Sequence, residues 1–147
     1  MVLADAQVVT INQLISSPKE WDNRQVQVQG EAVGDVMLRG DAGWVNILDG
    51  TALGVFAPKQ LLEQIKWFGA YGRHGDQLVV TGIFHNACPE HDGETDFHAE
   101  ALSIGLPGHP IAQPIAAQKL LLAAVLLPVT AGIMLYSRSS RKSRTDH

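Results

Sequence analysis

The sequence predicts an all-β fold with one or two short helices, namely a five-stranded OB-fold barrel followed by a single C-terminal transmembrane helix. Polar and apolar residues alternate strictly over residues 25–29, which is the period of a strand with one buried face. A helical pattern over 58–68 separates the third and fourth predicted strands, as in an OB-fold, whereas a plain β-sandwich would leave that helix without a place. Residues 120–136 carry no charged side chain.

The first elements are a short helix and a long strand. Thr10 and Gln13 fit a capping box, in which each residue's side chain bonds a backbone N–H of the other, so a helix should begin here. The first strand is expected over 25–36. Gly30 and Gly34 lie inside it and indicate a bulge or a sharp bend.

The remaining elements follow the order of a meander, a helix and a closing hairpin. Turn residues separate short runs of β-formers, and Asp49-Gly50 is a strong hairpin signal. The predicted segments are a turn at 39–43, strands at 44–48 and 52–57, a helix at 58–68, a glycine-rich loop at 69–76, and hairpin strands at 77–85 and 95–102.

The composition limits the size of the fold and the kind of metal site. The chain has 147 residues, of which 46% are hydrophobic, so it should hold one compact domain and at most an appended segment. Its single cysteine excludes an intramolecular disulfide and a four-thiolate zinc site. Any metal site must therefore rely mainly on His, Asp or Glu.

The charge distribution divides the chain into an acidic head and a basic tail. Acidic residues outnumber Lys and Arg fourteen to six over residues 1–113, whereas the rest of the chain has five basic residues and one acidic residue.

The membrane span is expected to extend back from residue 120, with Lys119 reaching the interface. The expected organisation is an OB-fold domain at 1–104, a linker at 105–114, a transmembrane helix at 115–136 and a basic tail at 137–147.

The charges beside the apolar segment predict how the chain is oriented. Four cations follow the span within 138–144, while only Lys119 precedes it, so the positive-inside bias puts the tail in the cytoplasm and the domain outside. The expected location is the cytoplasmic membrane, crossed once, with membrane lipid as a partner. Residues 1–10 show no basic region and no apolar run, so no cleavable signal is visible. Either the sequence begins after processing or at a trimmed start, or the protein is tail-anchored with its head in the cytoplasm.

The closing hairpin concentrates residues that can bind a metal ion. Symmetry about residues 91 and 92 would pair His85 directly with His98, and their two imidazoles would share one face. Cys88 and His91 lie between them, with Asp96 as a further carboxylate, so these five residues are the predicted metal ligands. Zinc and copper accept such a mixture of imidazole and thiolate.

Other interpretations of the head remain open. The hairpin residues could be exposed turn residues around a buried small Cys88. Trp44 with Arg39 could bind single-stranded nucleic acid by stacking and charge, although the acidic head opposes a polyanion. No oxyanion site or orienting third group accompanies Cys88 and His91, so we expect no enzymatic activity. The helix could also serve assembly, as in a structural subunit of a membrane protein complex.

Three motifs carry a resemblance to a known group of proteins. Gly30-Glu31, Trp44-Val45-Asn46 with Asp49-Gly50, and residues 84–93 resemble motifs of poorly characterised bacterial membrane-anchored OB-fold proteins, which are often labelled nucleic-acid-binding. The resemblance covers about residues 10–104 and implies an OB-fold on a membrane tether.

A more distant resemblance rests on Asp49, Gly54-Val55, Gly75-Asp76 and Val79-Val80-x-Gly82. These residues match the general strand pattern of the OB-fold haem chaperone of cytochrome c maturation. This resemblance implies haem as a cofactor. That family is tethered through its N-terminus, and its haem-attaching His-x3-Tyr is absent here because His98 is followed by residues 99–102, Ala-Glu-Ala-Leu. The sequence thus predicts a non-catalytic, membrane-tethered binding module for a metal ion or a metal-containing cofactor.

Overall fold

A computed structural model describes residues 6–112 and 117–142, which fall into two compact units divided between Ile111 and Ala112. The first unit contains β1 (Gln7–Val8), α1 (Ile11–Ser16), α2 (Pro18–Trp21), β2 (Arg24–Arg39), β3 (Ala42–Asp49), β4 (Thr51–Pro58), α3 (Lys59–Leu62), β5 (Arg73–His74), β6 (Gln77–His85), β7 (Asp96–Leu106) and β8 (His109–Pro110). The second unit contains α4 (Ala117–Lys142).

Five strands of the first unit close into a barrel. The sheet order is β2-β3-β4-β7-β6, and β6 pairs back with β2 to complete the circle, while β1 adds a parallel strand beside β2. The β4–β7 pair is parallel and the other barrel pairs are antiparallel. This Greek-key order, with α3 between the third and fourth barrel strands, confirms the predicted OB-fold.

The long strand β2 takes part in both halves of the barrel because it bends. Its first half pairs with β6 and its second half with β3, and the register with β3 shifts between Val33 and Met37. Gly34 lies at this point with a φ of 77°, a conformation that costs a side-chain-bearing residue energy. The bulge predicted from the glycines is therefore present at Gly34.

Alternate side chains of the barrel strands fill its interior. Phe84 and Phe97 lie directly opposite each other and are fully buried, together with aliphatic residues from every barrel strand. Burying each phenyl ring contributes roughly 2–3 kcal/mol. The capping box of α1 is also confirmed, because Gln13 N–H donates to the Thr10 hydroxyl and Thr10 N–H donates to the Gln13 amide oxygen.

The helices of the barrel unit differ from the prediction in two respects. A second short helix, α2, begins at Pro18 directly after α1. The helix expected over 58–68 ends at Leu62, because Gln64 and Ile65 donate to carbonyls three residues earlier rather than four, which tightens the turn and stops it. Ile65 is still buried, so the apolar residue at this position of the helical pattern indicates burial and does not indicate that the helix continues.

The chain after β7 stays bound to the barrel as far as β8. Asp76, whose side chain is almost fully buried, accepts hydrogen bonds from the backbone N–H groups of Lys66 and Trp67 at Oδ2 and from Gly108 at Oδ1. These three bonds hold the ends of two loops together, and β8 pairs with β5 beside them. The unit thus extends past residue 104, where the linker was expected to begin.

The second unit is one long apolar helix. Within α4, Leu120–Arg138 is long and apolar enough to cross a membrane, and its described side chains are exposed. Pro128 lies inside the helix, and the nearby Thr130 hydroxyl donates to the carbonyls of Leu126 and Leu127. Parts of the predicted linker, span and tail, at 113–116 and 143–147, lie outside the described residues.

Candidate metal centre

The hairpin of β6 and β7 places most of the predicted ligands, with a register that differs from the prediction. His85 lies opposite Asp96 and His98 opposite Ile83, so the predicted direct pairing of His85 with His98 is wrong by two positions. The hairpin is centred between residues 90 and 91 instead of between 91 and 92. His85 and His98 still lie on the same face of the hairpin, because side chains alternate with a period of two and the register differs from the prediction by two positions. The alternation determines the face, whereas the conformation of the turn determines the register.

The loop between the two strands has its own compact hydrogen bonding. The Cys88 carbonyl accepts from the N–H groups of His91 and Gly93, and Cys88 N–H donates to the Glu94 carbonyl. Asp92 and Gly93 both have positive φ, of 55° and 80°, which reverses the chain. This fold turns the Cys88 and His91 side chains back toward β7.

Four potential ligand atoms converge beside the loop. They are Cys88 Sγ, His91 Nδ1, Asp96 Oδ2 and His98 Nε2, and they all lie within 4.8 Å of one another. Cys88 Sγ is 3.5 Å from His91 Nδ1 and 3.4 Å from His98 Nε2, and the two imidazole nitrogens are 3.3 Å apart. Asp96 Oδ2 is 3.2 Å from His98 Nε2 and 2.5 Å from His91 Nδ1.

These separations suit one small tetrahedral ion. Metal–ligand bonds of about 2.0 Å to N or O and 2.3 Å to S give tetrahedral edges of about 3.3–3.6 Å. Of the five separations given above, four lie near that range, and the Asp96–His91 separation is shorter. A bare ion bound by these four side chains is therefore geometrically reasonable, whereas atoms that converge on one point leave no room between them for a porphyrin ring.

The polar atoms of this cluster are largely withdrawn from water. Asp96 is fully buried and Cys88 is 1% exposed, while the side chains of His91 and His98 are 20% and 24% exposed. Asp96 Oδ1 is buried and has no hydrogen-bond partner among the described residues. A buried carboxylate with an unpartnered oxygen is costly, and a cation bound at its other oxygen, Oδ2, would offset the charge that the two oxygens share.

Burial also affects the thiol. The pKa of Cys88 is raised, chiefly because burial disfavours the thiolate and also because the Asp96 carboxylate is beside it. The thiol therefore stays protonated at neutral pH unless a positive charge is brought to it. A metal ion supplies that charge and deprotonates the thiol that it binds.

His85 is the predicted ligand that the structure does not bring into the cluster. Its ring packs edge-on against the His98 ring, with centroids 4.7 Å apart. The two-position difference in register explains this, because it puts Asp96 opposite His85 and leaves His98 a diagonal neighbour. His85 therefore lies against a potential ligand instead of acting as one.

Aromatic residues of β3 and β4 support the cluster from the barrel side. The His91 ring meets Trp44 and Phe56 edge-on, at centroid distances of 4.6 and 4.7 Å, and Phe56 also packs against His98 at 5.2 Å. The prediction missed Phe56. Its pairing with Trp44 across β3 and β4 could have indicated it, because directly opposed residues share a face.

A groove of about 570 Å³ adjoins the cluster. We call it the Trp44 groove. It contains both residues of the predicted nucleic-acid site, Trp44 and Arg39, and its other lining residues come from the neighbouring strands and from the β6–β7 loop. The lining is completed by Met37, Asn46, Gly54, Glu90, His91, Asp92, Glu94 and Thr95.

Gly82 allows β7 to approach β6 closely at the cluster. A Cβ at position 82 would overlap the carbonyl oxygen of His98 and lie 2.8 Å from a Phe97 ring carbon. We expect Gly82→Ala to push β7 away, to lower the free energy of unfolding by about 2 kcal/mol and to displace His98. Urea unfolding and metal titration of the purified variant measure both effects.

A second glycine of the same hairpin provides the control for this substitution. A Cβ at Gly105 would meet ordinary van der Waals contacts, the nearest at 3.5 Å, so Gly105→Ala should leave unfolding and metal titration nearly unchanged. If the two variants unfold and bind metal equally, the close approach of Gly82 to His98 affects neither the stability nor the metal site.

Comparisons with known proteins support the fold alone. No protein-family model and no curated protein matches the sequence. A putative aspartyl-tRNA synthetase from Leishmania major Friedlin matches 73% of this chain at 10% identity with a TM-score of 0.53. An aspartyl tRNA synthetase from Entamoeba histolytica matches 78% at 14% identity, also with a TM-score of 0.53. These matches span only 22% and 24% of the synthetase chains.

Proposed function

We propose that this chain is a non-catalytic, membrane-tethered OB-fold module that binds one transition-metal ion through Cys88, His91, Asp96 and His98. The observation that carries the proposal is the convergence of four ligand atoms of three chemical types around one point, next to a buried carboxylate oxygen without a partner. That oxygen, Oδ1, belongs to the same carboxylate as the ligand atom Oδ2, so a divalent cation bound at Oδ2 would offset the negative charge of the buried group.

Zinc is the metal that this set of ligands suits best. It takes thiolate, imidazole and carboxylate ligands in tetrahedral sites, whereas copper(II) favours square-planar or tetragonal arrangements. Four protein ligands also fill a tetrahedral ion completely. Because catalytic zinc sites keep a position open for water or substrate, a filled site supports a structural or binding role over catalysis. The haem expected from the distant resemblance has no comparable support.

The second unit supports the tether. Leu120–Arg138 has the length and composition of a membrane span, and Arg138, Arg141 and Lys142 follow its apolar part. The positive-inside bias then favours a cytoplasmic tail and a barrel on the outer side of the cytoplasmic membrane. A membrane protein partner that uses the exposed apolar helix remains a prediction.

Metal analysis of the full chain tests the metal site. We expect the purified protein, after incubation with zinc and removal of excess, to hold about one zinc ion per chain, because four ligands in a tetrahedron bind zinc tightly. The double variant Cys88→Ala, His98→Ala should hold less than about a tenth of that, since two of the four bonds are lost. Elemental analysis by mass spectrometry gives the stoichiometry, and cobalt substitution reports thiolate coordination by its absorption spectrum.

The matched control removes two imidazoles elsewhere. His74 and His109 lie opposite each other in β5 and β8, outside the four-residue cluster, and the variant His74→Ala, His109→Ala should keep its zinc. Circular dichroism checks that each variant is folded. A wild-type chain that retains no zinc, or a Cys88 and His98 variant that retains as much as wild type, would remove the proposal.

Nucleic-acid binding remains the alternative function. Trp44 and Arg39 line the same groove, which supports it, while Glu90, Asp92 and Glu94 on that groove oppose a polyanion. Titration of a single-stranded oligonucleotide at increasing salt would detect such binding.

A further inference from the structure

The Trp44 groove has a polarised charge distribution. Glu90, Asp92 and Glu94 line it from the β6–β7 loop, and Arg39 at the end of β2 is the cation among its lining residues. Within the described part of the chain, no ion pair involves any of these three carboxylates. Uncompensated negative charge along a concave surface raises the local concentration of cations.

The Trp44 indole lines the same groove as these carboxylates. The Trp44 ring packs close to β4, because a Cβ at Gly54 would be 3.6 Å from one of its carbon atoms. Asn46 also lines the groove and offers an amide for hydrogen bonding. Tryptophan is the aromatic side chain that attracts cations most strongly, and guanidinium groups use this attraction more often than ammonium groups.

We propose that the Trp44 groove binds a segment of a partner protein that carries arginine or lysine side chains. A guanidinium group beside the Trp44 indole would have carboxylates within reach, and Arg39 would attract an acidic group or the backbone carbonyls of the same segment. An oligonucleotide could stack on Trp44 too, but its phosphates would meet three carboxylates and a single arginine. The charge therefore favours the cationic peptide.

This inference rests on the proposed function at one residue, His91. Its Nδ1 belongs to the metal cluster, and its ring lines the groove and meets Trp44 edge-on. A metal ion on Nδ1 would fix this ring and the loop that carries the three carboxylates. Zinc should then strengthen peptide binding, and the peptide should strengthen zinc binding by the same factor.

Binding of two short peptides to the full chain in detergent tests the groove. The probe is acetyl-Gly-Arg-Gly-Arg-Gly-amide, and its control replaces both arginines by citrulline, which keeps the shape and removes the charge. We expect the arginine peptide to bind the zinc-loaded protein at least about tenfold more tightly. Glu90→Gln with Glu94→Gln should cost about tenfold, as should Trp44→Ala, whereas Trp44→Phe should cost less.

A matched pair of exposed acids outside the groove provides the protein control. Glu20→Gln with Glu63→Gln makes the same change of net charge and should leave peptide binding unchanged. Equal binding of the two peptides, no binding of either, or a Trp44-dependent preference for a ten-residue thymidine oligonucleotide would overturn the proposal.

Zinc content measured in the same samples separates this proposal from the preceding one. If zinc-loaded protein does not bind the arginine peptide, the proposed groove site is refuted and the proposed metal site is still supported. Protein that holds no zinc and still binds the peptide with the expected charge dependence refutes the metal site and the coupling through His91, and supports the groove.

Discussion

Replacing Asp76 by asparagine should lower the free energy of unfolding of the barrel by about 3 kcal/mol at pH 7. The buried carboxylate accepts N–H bonds from Lys66 and Trp67 at one oxygen and from Gly108 at the other. Asparagine keeps one acceptor, but its amide nitrogen would face an N–H donor. The expected loss corresponds to a decrease of roughly 10–20 °C in melting temperature for a domain of this size.

The loss should depend on pH in a defined direction. Burial by itself raises the pKa of Asp76, but the three backbone N–H groups and Lys66 outweigh burial, so the pKa is lowered in the folded protein. A lowered folded pKa contributes stability that is fully present above the pKa of the unfolded chain and is lost as pH falls through the folded pKa. The difference between wild type and Asp76→Asn should therefore stay constant from pH 7 to 5 and shrink below about pH 4.

Urea unfolding at pH 7, 5 and 3 measures this difference. Asp35→Asn provides the control, because Asp35 is exposed and its substitution should change the free energy of unfolding by less than about 0.5 kcal/mol. If Asp76→Asn is as stable as wild type at pH 7, or if its deficit is undiminished at pH 3, the backbone bonds to Asp76 do not stabilise the fold as argued.

The role of Asp76 could not be predicted from the sequence, and the reason is distance along the chain. Its hydrogen-bond donors lie nine, ten and 32 residues away in irregular segments. Strand alternation and capping boxes are local patterns, which is why the barrel strands and the start of α1 could be predicted. A carboxylate that holds two loops together leaves no periodic signal in the sequence.

The candidate metal centre was partly predictable for the same reason. Cys88, His91, Asp96 and His98 lie within eleven consecutive residues, so a hairpin necessarily brings them close together. Alternation showed that the outward residues of β6 and β7 share a face. The register depends on the backbone conformation of the loop, including the positive φ of Asp92, which the sequence does not specify. His85 was therefore included among the ligands, and Phe56, which is distant in sequence, was missed.

The arrangement of ligands connects the local chemistry to the rest of the barrel. Asp96 and His98 belong to strand β7, whereas Cys88 and His91 belong to the loop. A metal ion would thus join a loop to a strand, and the His91 ring would transmit that constraint to Trp44. In an OB-fold, this loop and the face of the second and third barrel strands are the usual place for ligands, so the proposed metal would shape the surface best suited to binding.

Two acidic substitutions in the apolar helix should remove the protein from the membrane. Leu126 and Ile133 lie in the central part of α4 and are exposed. Exchanging each for Asp at the middle of a span costs about 3–4 kcal/mol, so Leu126→Asp with Ile133→Asp should cost about 7 kcal/mol of insertion free energy. We expect the wild-type chain to resist alkaline carbonate extraction of membranes and most of the double variant to be released.

The control exchanges the same two residues for alanine, which shortens both side chains without adding charge, so that variant should stay in the membrane fraction. The zinc content of all three proteins should be equal, because the metal cluster lies entirely in the barrel unit. Wild-type protein that is extracted by carbonate, or an Asp variant that stays embedded, would contradict the membrane span. Loss of zinc together with loss of the membrane would instead mean that the barrel needs its helix in order to fold.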